Sequence, residues 1–289
     1  MKGIVLAGGT GSRLWPASSV VCKQLLPIFD KPLIYYPLST LMLAGVKDIL
    51  IITTPSDQDA FQKLLGDGSR FGITLSYKVQ NKPAGLAEAV LIGEQFLDKD
   101  SCLLILGDNI FHGAGLGTEL SGAFPKIGAQ VFTYEVANPS QYGILTLDSA
   151  GNPIEIVEKP KHSTSRLAVT GLYFFDHRVS TIAKTIQPSE RGELEITSVI
   201  ENYLMAGELS VVKLSRGTAW LDTGSPESMN DASNYIRVIE ERTGLKIGCL
   251  EEIALSQNWI SIDEFKQIAE SYPENNYGKY LKKILKDKS

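Results

Sequence analysis

An α/β fold built on a mostly parallel sheet is predicted by three features of the sequence. Short apolar runs of buried-strand length alternate with helical stretches through the first half of the chain. The first of these runs empties into a glycine-rich turn. After Gln130 the runs shorten and turn signals multiply, before a long helical C-terminal stretch.

The elements follow in order. Residues 3–7 and 48–54 are apolar runs expected to be buried strands. Between them residues 36–44 have helical composition, with Pro37 acceptable in a first turn and Gly45 placed as a stop. Ser56-Asp-Gln-Asp59 resembles a capping box opening a helix to Leu65. Residues 73–79 alternate as a strand, 84–96 are helical and 103–106 form another buried strand, giving βαβαβαβ. Strands are then predicted at 131–136, 144–147, 154–157, 169–175 and 209–214, with a turn at Ser149-Ala-Gly-Asn152 and a helix at 194–204. From Pro226 the chain is helical and amphipathic, ending in a basic tail. No internal repeat, low-complexity segment or Gly/Ser linker interrupts it, so the simplest division is a main domain at 1–225 and a helical appendage at 226–289.

Composition narrows the function. A chain of 289 residues with 43% hydrophobic residues can bury one large α/β core and is expected to be soluble and globular. The first residues lack the layout of a signal peptide, and even the apolar stretch 38–50 is broken by Lys47 and Asp48, so no membrane span is expected and the cytoplasm is the default location. Cys22, Cys102 and Cys249 are odd in number and widely spaced, which suits reduced thiols. His112, His162 and His177 make no pair at zinc-ligand spacing. A net charge of −5 argues against a nucleic-acid surface while leaving room for a local basic pocket for phosphates.

Such a pocket is suggested by Ile4-Val-Leu-Ala-Gly-Gly-Thr-Gly-Ser-Arg13, where a glycine-rich turn follows the first strand and lets backbone N–H groups converge on an anion. Arg13 ends the loop with a fixed cationic fork, and Lys23 supplies a point charge ten positions later. A dinucleotide fingerprint would need a third glycine where Ser12, Arg13 and Leu14 stand, and a Walker A loop would need a Gly-Lys-Ser/Thr triplet that the sequence lacks. Asp108 follows an apolar strand at the end where open α/β sheets bind ligands, and Asp222 follows the apolar pair Trp220-Leu221 before a glycine turn.

The run Leu6-Ala-Gly-Gly-Thr-Gly-Ser-Arg-Leu-Trp-Pro16, with Lys23-Gln-Leu-Leu-Pro27 and Lys31-Pro-Leu-Ile-Tyr-Tyr-Pro37, closely resembles the opening of bacterial glucose-1-phosphate thymidylyltransferases. The resemblance continues through Val79-Gln80, Pro83-Ala-Gly-Leu-Ala87, Leu106-Gly-Asp-Asn-Ile-Phe-His-Gly113, Val157-Glu-Lys-Pro160, Val169-Thr-Gly-Leu-Tyr-Phe174, Arg191-Gly-Glu-Leu-Glu-Ile-Thr197 and Trp220-Leu-Asp-Thr-Gly224, covering essentially the whole chain in order.

The resemblance implies a Rossmann-like nucleotidyltransferase fold with a mixed central sheet and a helical C-terminal appendage. It implies transfer of a thymidylyl group from dTTP to glucose 1-phosphate, the first step toward dTDP-rhamnose and other dTDP-sugars of cell-surface polysaccharide. It assigns Arg13, Lys23 and Lys159 to catalysis, with Arg13 and Lys23 on the triphosphate and Lys159 on the sugar phosphate. It assigns Leu6, Gly8, Gly9, Gly11, Gln80, Gly85 and Asp108 to the nucleotide, Gly85 by allowing the backbone to approach the base. Asn109, Tyr142, Gly143, Glu158, Lys159, Val169 and Gly171 fall to the sugar, and Asp108 with Asp222 to Mg²⁺. A general base is then dispensable, because a sugar phosphate is already anionic near neutral pH, and nothing in the sequence recommends a catalytic His or Cys. Similar enzymes are homotetramers with a regulatory site for dTDP-rhamnose in the C-terminal region, and 226–289 is expected to supply both features. Ser12 and Leu250 depart from the common Thr and Pro, the latter near that regulatory segment. A UTP-preferring uridylyltransferase and a non-catalytic sugar-nucleotide-binding subunit remain alternatives.

Overall fold

The computed structural model describes residues 1–288 except Thr10, Ser121 and Ala123. β1 (Lys2–Ala7) leads through the glycine loop to a small hairpin, β2 (Pro27–Ile28) and β3 (Lys31–Pro32). Then come α1 (Tyr35–Leu43), β4 (Asp48–Thr53), α2 (Gln58–Leu65), β5 (Thr74–Val79), α3 (Glu88–Leu97) and β6 (Cys102–Leu106). The second half runs β7 (Asn109–His112), α4 (Leu116–Leu120), β8 (Ala129–Glu135), β9 (Gly143–Leu147), β10 (Pro153–Glu158), β11 (Leu167–Phe175), α5 (Val179–Ala183), α6 (Ile196–Met205), β12 (Leu209–Lys213) and β13 (Ala219–Asp222). Four helices close the chain: α7 (Pro226–Thr243), α8 (Leu250–Ser256), α9 (Ile262–Ser271) and α10 (Asn276–Lys288).

The main sheet has the order β10-β9-β11-β6-β1-β4-β5, with β8 along the other edge of β11 and β12 beyond β8. β6, β1, β4 and β5 are parallel, while β11 runs antiparallel to β6, so the sheet is mixed. Val5, Ile51 and Ile105 lie in register across the centre and are fully buried, as expected where helices cover both faces of parallel strands. One face carries α3, α5 and α6, with Val90, Val199 and Tyr203 in its core. The other carries α1 and α2, and also receives Leu250, Phe265 and Leu281 from the C-terminal helices. A third cluster joins Ile28 and Tyr36 to Ala232 and Ile236 of α7. A buried ionic tie reinforces it, for Glu240 of α7 accepts from Lys31 at 2.9 Å and from Lys246 at 2.6 Å.

Several local expectations are corrected. Ser56 caps nothing: α2 starts at Gln58, and Asp57 is held by the Thr54 hydroxyl instead. Capping boxes occur at Ser225/Ser228 and Ser261/Glu264. Helix α3 begins at Glu88 rather than at residue 84, because the segment before it is drawn across to Leu194, with Ala87 N–H donating to Leu194 O and Leu194 N–H to Ala84 O. Residues 219–222, seen in the sequence as an apolar pair before a turn, are a strand pairing antiparallel with β7. That ribbon matters most for the site.

Candidate active site

The parallel strands end on one side of the sheet, and the loops leaving β1 and β6 open there onto a cleft of about 840 Å³. β6 hands the chain to Gly107, whose N–H continues the ladder by donating to Leu6 O at 2.9 Å. Asp108 follows. β7 then turns away and pairs with β13 so that Asn109 faces Asp222, which brings Asp108 and Asp222 to one wall of the cleft. Thr223 locks the junction by donating its N–H and hydroxyl to Asp108 O at 3.2 and 2.9 Å.

The two aspartates are held differently. Asp108 Oδ2 pairs with Lys23 Nζ at 2.7 Å, and Oδ1 accepts from Asn109 Nδ2 at 2.8 Å. Asp222 accepts from two neutral donors, Gly224 N–H at 2.9 Å and the Tyr142 hydroxyl at 3.2 Å, and has no cationic partner among the described residues. Burial, and after it the Asp222 charge, push the Tyr142 phenol up to about 12, so it stays a donor.

Asn109 is buried and crowded. Its Oδ1 accepts from Gly171 N–H at 3.2 Å and from Trp220 Nε1 at 2.6 Å. A Cβ on Gly171 would fall 2.5 Å from that oxygen, so only glycine lets β11 approach Asn109 at the irregularity between Val169 and Tyr173. Trp220 also packs on Tyr142, with ring centroids 5.1 Å apart.

Across the cleft, Lys159 follows β10 in the left-handed region, with φ of 45°, anchored by its N–H to Tyr142 O at 3.0 Å. A side chain held there at a cost of about 1–2 kcal/mol is typical of a position that function over-determines. Its ammonium lies 3.5 Å from Glu158, which also meets Arg191 at 3.5 Å. Arg13 reaches the cleft from the turn after the glycine loop, with one guanidinium nitrogen beside Gly224.

Of the residues singled out in the sequence, Arg13, Asp108, Asn109, Tyr142, Gly143, Glu158, Lys159, Val169, Gly171 and Asp222 line this cleft, and Lys23 joins it through Asp108. Leu6, Gly8, Gly9, Gly11, Gln80 and Gly85 lie outside its lining, around the β1 loop and the end of β5; Thr10 lies outside the described residues. Gly85 also meets a packing requirement, beside the role the resemblance implies. Its φ is 107° and a Cβ would sit 2.3 Å from Leu194 O, so its missing side chain serves packing against Leu194. Sequence reasoning gave no role to Trp220, Thr197, Leu86 or Asp231, all of which line the cleft. Cys22 donates to Gln24 Oε1 at 2.9 Å, and burial pushes its thiol up to about 12.

A glycine loop with Arg and Lys facing two carboxylates at strand ends suits phosphate and metal chemistry, and a nucleotidyl transferase family model matches residues 2–238. The chain belongs to that family. A glucose-1-phosphate thymidylyltransferase of Mycolicibacterium smegmatis is 53% identical over 285 residues, 99% of each chain. A crystal structure of a candidate glucose-1-phosphate thymidylyltransferase of Bacillus anthracis, in complex with a sucrose, superposes with a TM-score of 0.76 at 39% identity, covering 82% of this chain and 95% of that one. A UDP-glucose pyrophosphorylase complexed with UDP-glucose superposes with a TM-score of 0.70 at 26% identity, covering 82% and 98%. Membership implies a nucleoside triphosphate and a sugar phosphate as substrates of this nucleotidyltransferase. No helix among the described residues is long and apolar enough to cross a membrane.

Proposed function

We propose that the chain transfers the thymidylyl group of dTTP to glucose 1-phosphate, giving dTDP-glucose and pyrophosphate. The observation that carries this reading is the convergence of Arg13, Asp108, Lys159 and Asp222 in one cleft, with Lys23 bonded to Asp108. A phosphate oxygen of the sugar attacks the α-phosphorus in line with departing pyrophosphate; one P–O bond forms as the bond to the β-phosphate oxygen breaks. The nucleophile's second pKa is about 6, so no general base is required. Arg13 and Lys23 hold the triphosphate and its leaving group, and Lys159 holds the sugar phosphate. Their work is to align two anions and offset their repulsion.

Asp108 and Asp222 would hold Mg²⁺, and their chemistry fits. Both are hard oxygen donors on one wall, and Asp222 is a carboxylate facing the cleft that makes no ion pair among the described residues. Two protein carboxylates plus substrate phosphates are the donor set this ion favours, and when bound it would neutralise charge between the two phosphates.

Leu6, Gly8, Gly9, Gly11, Gln80 and Gly85 surround the nucleotide in this reading, while Asn109, Tyr142, Gly143, Glu158, Val169 and Gly171 contact the sugar. A UTP-preferring enzyme is the second reading, favoured by the likeness to a UDP-glucose pyrophosphorylase. We read residues 1–225 as the catalytic domain and 226–289 as the region for homotetramer contacts and for dTDP-rhamnose as feedback inhibitor. Exposed Val238 and Leu245 support an interface there, and light scattering with inhibition assays would test it. We place the reaction in the cytoplasm.

The deciding experiment measures pyrophosphate release from glucose 1-phosphate, Mg²⁺ and either dTTP or UTP, for the native chain, Asp108→Asn and Arg13→Ala. Release favouring dTTP and lost in both variants is expected. Preference for UTP would move the product to UDP-glucose, and no release with either would leave a sugar-nucleotide-binding protein.

A further inference from the structure

We infer that Glu88 fixes the amide of Gln80 so that the site takes thymine or uracil and rejects cytosine; this rests on the nucleotidyl transfer proposed above. Gln80 follows β5 at the ligand-binding side of the sheet, its N–H donating to Thr53 O at 2.8 Å, and it is buried, at 5% exposure. Its Nε2 donates to Glu88 Oε2 at 2.6 Å and to Gly85 O at 3.4 Å. Both partners can only accept. Turned over, the amide would set Oε1 against a carboxylate oxygen, acceptor against acceptor, so chemistry dictates its orientation. Glu88 is the first residue of α3, a place that suits negative charge.

Oε1 faces the other way, toward the loop after β1, where a Cβ on Gly8 would lie 2.8 Å from it. Among the described residues it accepts no hydrogen bond. The side chain thus presents one acceptor beside the glycine loop, with its donors already committed. Thymine and uracil carry an N–H at N3 that such an acceptor reads. Cytosine carries a lone pair there, and a buried acceptor facing another loses its partner outright. Glu88 reaches the base through Gln80, which makes it a positioning residue for pyrimidine choice.

Pyrophosphate release is measured with dTTP, UTP, dCTP and CTP for the native chain, Glu88→Ala, Glu88→Met and Glu88→Gln. Methionine keeps the length and helix propensity but cannot accept, whereas glutamine can. The native chain is expected to prefer dTTP over dCTP by about 100-fold in kcat/KM or more. Freeing the amide in the Ala and Met variants raises KM for dTTP about fivefold, leaves kcat within about twofold, and cuts the preference about tenfold because dCTP improves. Glu88→Gln restores the preference. General damage to the fold would lower both triphosphates together and leave their ratio alone. An unchanged dTTP/dCTP ratio in a folded Glu88→Met overturns the inference and leaves the transferase reading standing. A native chain that releases no pyrophosphate with dTTP or UTP overturns that reading and takes this inference with it.

Discussion

Lys23 Nζ sits 2.7 Å from Asp108 Oδ2, an ion pair spanning 85 positions that ties the turn after the glycine loop to the end of β6. Lys23 is 8% exposed and Asp108 31%, so the pair is sheltered without being sealed. Replacing Lys23 by methionine removes the proposed phosphate contact and leaves Asp108 without its cation. Pyrophosphate release should fall about 100- to 1,000-fold. Unfolding stability should fall by only about 1–3 kcal/mol, because the freed carboxylate reaches water. Steady-state kinetics and urea titration on the same sample check both.

Two glycines proposed to surround the nucleotide should respond very differently to one methyl group. At Gly85 the Cβ meets Leu194 backbone at 2.3 Å on a φ of 107°, so Gly85→Ala should cost about 2–4 kcal/mol. At Gly9 nothing lies within 4 Å among the described residues, so Gly9→Ala should change stability by less than about 0.5 kcal/mol. Any loss of activity at Gly9 would then report on nucleotide approach, readable as a raised KM for dTTP.

Lys159→Asn separates strain from chemistry. Asparagine tolerates the left-handed backbone that lysine endures at φ 45°, so the melting temperature should hold or rise slightly. The proposed sugar-phosphate contact is lost, and kcat/KM should drop about 100-fold or more. Differential scanning calorimetry beside the kinetic assay distinguishes this from unfolding.

The acid limb of stability should depend on Asp176, just beyond β11. Burial alone would raise its pKa, but bonds from the Arg178 guanidinium, Gly128 N–H and the Tyr203 hydroxyl hold it below the usual 3.8. The unfolded chain therefore binds the proton first. The stabilisation is full above the unfolded value and is lost as pH falls through the folded one. Asp176→Asn should cost about 2–4 kcal/mol near neutral pH and flatten the loss below about pH 4. Urea titrations across the acid range test this.

The parallel half of the sheet was legible because β1, β4 and β6 are buried on both faces, and a doubly covered strand must be continuously apolar. The small elements were not. Ala219–Asp222 is a four-residue ribbon whose pairing with β7 depends on residues more than a hundred positions away, a relation that local pattern does not encode. Ser56 was misjudged because its residue types fit a cap while Thr54 and Asp57 satisfy each other first. The cleft residues came from motif order, which named Asp108 and Asp222 but passed over Trp220, whose indole N–H is spent on Asn109. Gln80 was recognised, yet Glu88 was invisible, since its importance lies in which way it turns another side chain.

The pairing of β13 with β7 also sets a clock. Asp108 has left the ribosome long before Asp222 is made, and the apolar floor beneath the same sheet is completed by Leu250, Phe265 and Leu281, later still. A growing chain therefore carries the glycine loop and Asp108 before the strand that bears Asp222 exists. That face of the sheet is buried only once the last helices of the chain have packed against it.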